Sequence, residues 1–329
     1  MKTTLHLSEG SNYPKNLLFE DIAHPESLAP FAENPDARIF LTAHNGCTIG
    51  HLAIWWQDTP TLDGKRIGAI GGFAANDFHA ASQMLDCALD YLKKAGCELA
   101  VGPMNRNTWH RHRFVTESDQ RGRFMLEPRN PSEYPNWWMQ SGFHTCSTYS
   151  SSVIQLNKIE ATSSALAKRL ERSGVIVREL DISRYDDELR AIYSVSLKSF
   201  THNFLYTPLS EEGFLDAYRK VRERVGPDFV KIAERDGVTC GFVFGIPDFE
   251  ALARGEKPSV IVKTLAVDPL SHCAGLGSLL VEKLHRAARI KGYDEAIHAL
   301  QHETNTSLKI TGRHHGNVFR RYSLFSKQL

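Results

Sequence analysis

In the second half of the chain the apolar positions alternate between two periods. GVIVREL (174–180) is a short β-branched run and predicts a strand. RYDDELRAIYSVSLKSF (184–200) places Leu189, Ile192, Val195 and Leu197 at helical spacing. SEEGFLDAYRKVRERVG (210–226) opens on a serine cap with acidic residues in the first turn and predicts a helix ending at Gly226. DFVKIAERDG and VTCGFVFGI read as two strands joined at Arg235-Asp236-Gly237, a hairpin signal, and SVIVKTLAVDP reads as a third. GSLLVEKLHRAARIKG carries a stripe of Leu280, Leu284, Ala287 and Ala288 and stops at Gly292, in the position of a left-handed C′ residue. YDEAIHAL and VFRRYSLFSKQL complete the series as strands. Three sequential antiparallel strands, a helix and a further strand predict a mixed α+β layer rather than a doubly wound parallel sheet.

The first half fits the same grid. ARIFLTAHNG, CTIGHLAIWWQD and RIGAIGGFA read as three strands. DFHAASQMLDCALDYLKKAG reads as a helix with Ala81, Leu85, Ala88 and Leu92 on one face, and CELAVGPM as a strand. Aligning Gly96 with Gly292 sets Gly275 on His79 and Gly277 on Ala81. The pattern predicts a duplicated α+β domain, 1–156 and 157–329, in which only the second copy has a glycine turn. SSALAKRLERSG predicts a connecting helix near the join at 155–164.

At 329 residues the chain suits two domains, and its 42% hydrophobic and 23% charged content is that of an ordinary globular protein. A net charge of +1 argues against a global field for nucleic acid or anionic membranes. MKTTLHLSEG has no apolar signal region, and no apolar run is long enough to span a bilayer. The six cysteines are scattered without a CxxC pair, so free thiols and a cytoplasmic location are expected. His110 and His112 share a face if their segment is extended, but no third ligand follows and no metal site is expected.

The stretch VDPLSHCAGLGSLL (267–280) runs from a strand through two glycines into a helix. The first N–H groups of a helix lack intrahelical partners, and glycine admits close approach of an anion. The turn is therefore either a phosphate cradle or simply a tight entry into a helix. In residue types and spacing it resembles the V-x-P-x-x-R/Q-x-x-G-x-G/A motif of the GNAT acyltransferase superfamily: Val267, Pro269, Gly275 and Gly277 fit, and His272 takes the Arg/Gln slot. The resemblance covers about 175–329, with a weaker echo before it, and the whole chain resembles a tandem GNAT protein of a bacterial N-acyltransferase-like kind.

The resemblance implies acetyl-CoA or another acyl-CoA as co-substrate and direct attack by an amine. Pantetheine would pair with Leu265, Ala266 and Val267, and the pyrophosphate would lie on Cys273, Ala274, Gly275, Leu276, Gly277 and Ser278 beside His272. Asn305 fits the start of the helix after the penultimate strand. The tyrosine acid the family carries seven residues later is replaced by Gly312, and Tyr322 or a water is left to substitute. Candidate bases are Glu303, His302 and His298. Alternation puts His298, Leu300 and His302 on one strand face, and Glu303 is equally suited to capping the next helix. THNFLYTPLS (201–210), with Asn203 and Tyr206, would shape the acceptor site or serve as a packed loop. GPMNRNTWHRHRF (102–114), with Asn105 and Arg111, is either a binding segment for an anionic acceptor or a solvated basic loop. The tryptophan pairs at 55–56 and 137–138 are expected in packing. The acceptor would be a small-molecule or peptide amine, and a homodimer is compatible with the reading. Two alternatives stand beside it: a Fem-type aminoacyl transferase, and a non-catalytic acyl-CoA-binding or scaffold protein.

Overall fold

The computed structural model describes residues 3–9, 34–159 and 164–329, which form one continuous 14-stranded sheet with packed helices. The strands are β1 (Thr3–Glu9), β2 (Ala37–Ala43), β3 (Thr48–Trp55), β4 (Thr61–Leu62), β5 (Lys65–Ala75), β6 (Leu99–Gly102), β7 (Phe114–Ser118), β8 (His144–Gln155), β9 (Val175–Glu179), β10 (Val230–Arg235), β11 (Val238–Pro247), β12 (Ser259–Val267), β13 (Glu295–His302) and β14 (Asn317–Gln328). The helices are α1 (Phe78–Lys94), α2 (Tyr134–Gln140), α3 (Ser164–Arg172), α4 (Tyr185–Phe200), α5 (Glu211–Arg219), α6 (Phe249–Ala253), α7 (Leu276–Ile290) and α8 (Ser307–Arg313). No helix among the described residues is long and apolar enough to cross a membrane.

Each half builds the expected mixed α+β unit: an antiparallel meander, a helix, then a strand parallel to the last of the meander. β2, β3 and β5 are followed by α1 and β6; β10, β11 and β12 are followed by α7 and β13. The local signals act as read. Ser210 caps α5 by accepting from Gly213 N–H, and Asp236 and Gly237 take the left-handed conformations that close the β10–β11 hairpin. Gly96 and Gly292 both have positive φ just past their helices. Trp55 and Trp138 are buried in core, Trp138 meeting Phe73 and Phe114 edge-on.

Two readings shift. α5 stops at Arg219 instead of running to Gly226, because the chain beyond it turns to bury Val225 and Phe229. In the first half Asp77, not His79, stands opposite Gly275, since each caps its helix and α1 is the longer of the two.

The halves are joined by exchanged strands. β8 leaves the first half and pairs antiparallel with β13 of the second, whereas β14 leaves the second half and pairs with β6 of the first. β8 and β14 also pair with each other along most of their length. Phe325 of β14 consequently lies in the same core as α1, and Ile154 of β8 in the same core as α7. A buried network ties the seam: Glu127 accepts from Tyr322 Oη at 2.6 Å and Arg320 Nε at 2.8 Å.

Behind β13, His298 and His285 are fully buried between α7 and α8. His298 Nδ1 lies 2.7 Å from Thr311 Oγ1, and its Nε2 lies 3.0 Å from His285 Nε2. Thr311 donates to Gln301, so His298 gives its one proton to Thr311 and accepts from His285. Both rings are thereby neutral, and burial pushes His298 down to about 3 and His285 well below the ordinary histidine value.

Two outcomes are expected. Because the strand exchange makes each sheet incomplete alone, the chain unfolds in a single urea transition seen identically by tryptophan fluorescence and far-UV dichroism; two separate transitions would contradict this. The histidines have folded values below the unfolded one, so the unfolded state binds more protons below pH 6.5 and stability falls on acidification from there. Each such ring contributes about 1.4 kcal/mol per pH unit until its folded value is reached. Urea midpoints at pH 7, 6 and 5 should decline, and His298→Gln should flatten the decline.

Candidate active site

β12 and β13 pair only from Ser259 to Val262 against Glu295 to His298. Beyond that point they part. Leu300 takes a positive φ of 54°, and the pairing of β13 with β8 shifts register between His298 and Gln301. One edge of β12 is therefore open from Lys263 to Val267. A cavity of about 1090 Å3 fills the gap, bordered by β12, the 268–278 loop, β13, α8 and two loops, 108–113 and 199–206.

Leu265 and Val267 face this cavity, whereas Ala266 alternates to the other side and is buried against α4. The loop after β12 is fastened at several points. Asp268 accepts from Lys198 at 2.8 Å and from Leu270 N–H at 2.9 Å. Arg235 donates to the Ser271 carbonyl, Arg169 of α3 to the Ala274 carbonyl, and Arg313 of α8 to Ser278 Oγ. These three arginines gather positive charge around the turn, and no motif in the sequence announced them. Cys273 is buried and donates to Ser271, which makes it a packed thiol. His272 is exposed at φ 51°.

The turn has the geometry of an anion cradle. Gly275 sits at φ 88°, and a Cβ there would meet Leu166 at 2.8 Å. A Cβ on Gly277 would find the Ile310 and Leu265 methyls at 3.5 Å and a Val267 methyl at 3.8 Å, all ordinary contacts, so packing among the described residues does not require glycine there; its bare Cα leaves the turn open. Leu276 N–H donates to Cys273 and Leu279 N–H to Gly275, but the N–H groups of Gly275, Gly277 and Ser278 have no backbone acceptor among the described residues. The residues present therefore fit a pyrophosphate at the head of α7 and an extended pantetheine along the open edge of β12.

The first half has the corresponding sites filled. Asp77 accepts from Ala80 N–H at 2.8 Å, placing a carboxylate of the chain itself at the head of α1. Met104 N–H donates to the Ile70 carbonyl and Asn105 Oδ1 accepts from Gly72 N–H, closing the gap beside β5. Asn105 is buried in this plug while also bordering a second cavity, described below.

The candidate catalytic residues separate. Tyr322 is fully buried in the Glu127–Arg320–Ser151 network and does not border either cavity; burial and Glu127 push its hydroxyl far above the ordinary phenol value. The substitution of Tyr322 for the absent tyrosine is not supported by this placement. Glu303 lies outside the cavity and is held by Thr148, whose Oγ1 and N–H both donate to it. His298 reaches the cavity wall, but both its nitrogens are engaged. Asn305 borders the cavity and accepts from Ser307 N–H at the start of α8, and Gly312 leaves no side chain to act there.

His302 does border the cavity, stacked on Phe204. Its Nδ1 accepts from Thr304 N–H at 3.2 Å, so the neutral ring carries its proton on Nε2, which is buried without a partner. Burial lowers its pKa. It is set as a donor rather than a base.

Sequence reasoning passed over the complementary histidine. His112 comes from the first-half loop and borders both cavities. Its Nδ1 donates to the His110 carbonyl at 2.9 Å, leaving a lone pair on Nε2. Burial, then Arg113, push it well below the ordinary value, so the ring is neutral at pH 7.

Asn203 and Tyr206 border the first cavity on the 201–210 loop, which the first half clasps: Trp109 Nε1 donates to the Thr207 carbonyl at 2.6 Å. Arg111 borders the second cavity, of about 790 Å3, whose walls include Phe73, Phe114, Phe124, Phe214 and Phe242. The two cavities share Trp109, His112, Arg113, Lys263 and Leu300, so they meet at the splayed strands. Among the described residues no group of three or more His, Cys, Asp or Glu is placed to hold a metal ion.

Comparison with known proteins agrees with this geometry. The pattern of the acetyltransferase (GNAT) family matches residues 189–309. A bacterial ceramide synthase of Caulobacter vibrioides is 25% identical over 229 residues, 68% of this chain and 60% of that protein. The chain thus aligns with little more than half the length of that relative. Among solved structures, a GCN5-related glucosamine N-acetyltransferase region of a fungal multi-domain β-N-acetylglucosaminidase superposes with a TM-score of 0.58 at 13% identity, covering 88% of this chain and 33% of that one. A tandem GNAT protein from the clavulanic acid pathway superposes with a TM-score of 0.52 at 12% identity, covering 89% and 82%. With parted strands, a glycine turn before α7 and a family match over residues 189–309 that coincide, the chain has a GNAT-like mixed α+β fold.

Proposed function

We propose that the protein is an N-acyltransferase that moves an acyl group from acyl-CoA to an amine by direct attack. The observation that carries this reading is the open edge of β12 leading into a loop where the N–H groups of Gly275, Gly277 and Ser278 have no backbone acceptor among the described residues. Leu265 to Val267 would align the pantetheine arm, and the cradle with Arg169 and Arg313 nearby would hold the phosphates. A bound thioester supplies the activated acyl carbon.

The residues of the chain then have three tasks: to orient the amine, to take its proton and to stabilise the charge that develops as the C–S bond breaks. The lone pair on His112 Nε2 suits it as the base, with Nδ1–H held by the His110 carbonyl. The unpartnered Nε2–H of His302 suits it to donate to oxygen or sulfur as negative charge forms. A thiolate is a competent leaving group, so the missing tyrosine removes an acid without blocking the reaction. The likeness to the Caulobacter ceramide synthase makes a long-chain acyl-CoA the first donor to try, since a ceramide is a fatty amide, and the aromatic walls of the second cavity offer apolar room. The free cysteines are in keeping with a reducing cytoplasm.

Thermal unfolding tests donor binding. Acetyl-CoA or long-chain acyl-CoA at about a hundred times its Kd adds roughly 2.7 kcal/mol and raises Tm by several degrees. Gly277→Glu, which has steric room in the fold, should abolish the shift by placing a carboxylate in the cradle. An unchanged Tm at millimolar ligand would overturn the reading. Stabilisation without turnover of any amine would instead identify an acyl-CoA-binding protein.

Turnover tests the histidines. His112→Ala should lower kcat by roughly a hundredfold, with the acyl-CoA-induced Tm shift preserved and with partial rescue by added imidazole. His302→Ala should lower kcat without rescue of the same kind. Full activity in His112→Ala would remove it as the base.

A further inference from the structure

At the neck where the two cavities meet lie two cations that no carboxylate among the described residues neutralises. Arg113 stands on the first-half loop. Its Nη1 donates to the Leu300 carbonyl at 3.3 Å, its guanidinium carbon lies 4.1 Å from the Tyr149 ring centre, and its Nε is buried with no acceptor. Lys263 stands on the open edge of β12. Its Nζ donates to Tyr218 Oη at 3.2 Å and lies over the Tyr218 and Phe244 rings. Neither makes an ion pair with a carboxylate among the described residues. The two carboxylates on the second cavity wall are engaged elsewhere: Glu127 with Arg320 and Tyr322, and Glu250 with Arg123 at 3.0 Å.

A guanidinium removed from water with only a carbonyl, an aromatic face and an orphaned Nε is costly to maintain. Its planar fork suits an oxyanion that supplies both charge and acceptors. Burial without a counter-charge pushes Arg113 down to about 10, still protonated at neutral pH, so the site keeps its charge.

We propose that the amine acceptor carries an oxyanion, a carboxylate or a phosphate ester, that seats on Arg113 and Lys263 while its amine reaches the neck beside His112. This deepens the acyl-transfer reading and rests on it. The aromatic lining beyond the neck fits an apolar portion, so the acceptor class is an amphipathic acidic amine. The same two cations disfavour a protonated amine nearby and so help present the nucleophile as free base.

Matched amines test it, with CoA release as the readout: phenylalanine against phenethylamine, a long-chain 2-amino acid against the corresponding amine, and phosphoethanolamine against ethanolamine. The acid-bearing member should be preferred by at least roughly tenfold in kcat/KM, and the carboxylate and phosphate pairs identify which oxyanion is read. Arg113→Gln and Lys263→Gln should each erode the preference mainly through KM, and Arg113→Lys should retain part of it. Lys263 has an exposed position, so its variant serves if Arg113→Gln fails to fold. Equal use of the neutral amines, or a preference that survives both Gln variants, would overturn the proposal.

Isothermal titration of the same amines into the protein without acyl-CoA gives a second readout. Heat that depends on the acid group and on Arg113 supports the oxyanion seat even if acyl-CoA fails to bind, in which case only the acyl-transfer reading falls. Binding of acyl-CoA with no acid-dependent heat and no acid preference in turnover overturns the oxyanion seat and leaves acyl transfer standing.

Discussion

The parting of β12 from β13 after Val262 and His298 is the constraint on which the rest of the site depends. A strand in the middle of a sheet normally has both edges paired. Here the positive φ at Leu300 and the register shift beside it steer β13 toward β8 and away from β12. The lost ladder bonds leave one backbone edge of β12 open to the cavity. The α7 loop sits at one end of that surface, α8 borders it, and the first-half loop from Thr108 to Arg113 reaches into its neck. Paired in full, these strands would leave no cavity and no use for the glycine cradle.

The two halves share a plan and differ in what fills it. In the first, Asp77 supplies the negative charge at the helix head, and Met104 with Asn105 stitches the gap beside β5. In the second, both places are open. The first half nevertheless reaches the working site, since His112, Arg113 and Trp109 all come from it. The filled half serves as the wall and the clasp of the open one.

Much of this was legible in the sequence where local chemistry decides structure. The meanders, α1, α4 and α7, the hairpin at Asp236-Gly237 and the glycines ending two helices follow from periodicity and left-handed positions. The glycine turn before α7 was legible too, because Gly275 takes a positive φ that glycine readily adopts. β8 was not: its run of serines is polar in composition yet buried, because a strand flanked on both edges leaves room for small side chains, of which Ser151 accepts from Leu300 N–H. Nor was the role of histidines legible. In both His112 and His302 a neighbouring backbone group engages Nδ1, an accepting carbonyl in the first and a donating N–H in the second, and those neighbours are set by loop conformation. Tyr322 drew attention as a phenol near the right place in the chain, but only the fold reveals that Glu127 and Arg320 enclose it.

The strand exchange also orders events during synthesis. β6 offers its free edge to β14, and Phe325 belongs to the core that α1 covers. A ribosome makes Gly102 long before Asn317. Until then the first half waits with an unpaired edge beside β6 and an incomplete core, and an unpaired edge invites other chains. The strand that closes the first half-sheet is therefore made long after the edge it covers, so the N-terminal half stays open until β14 of the second half has been synthesised.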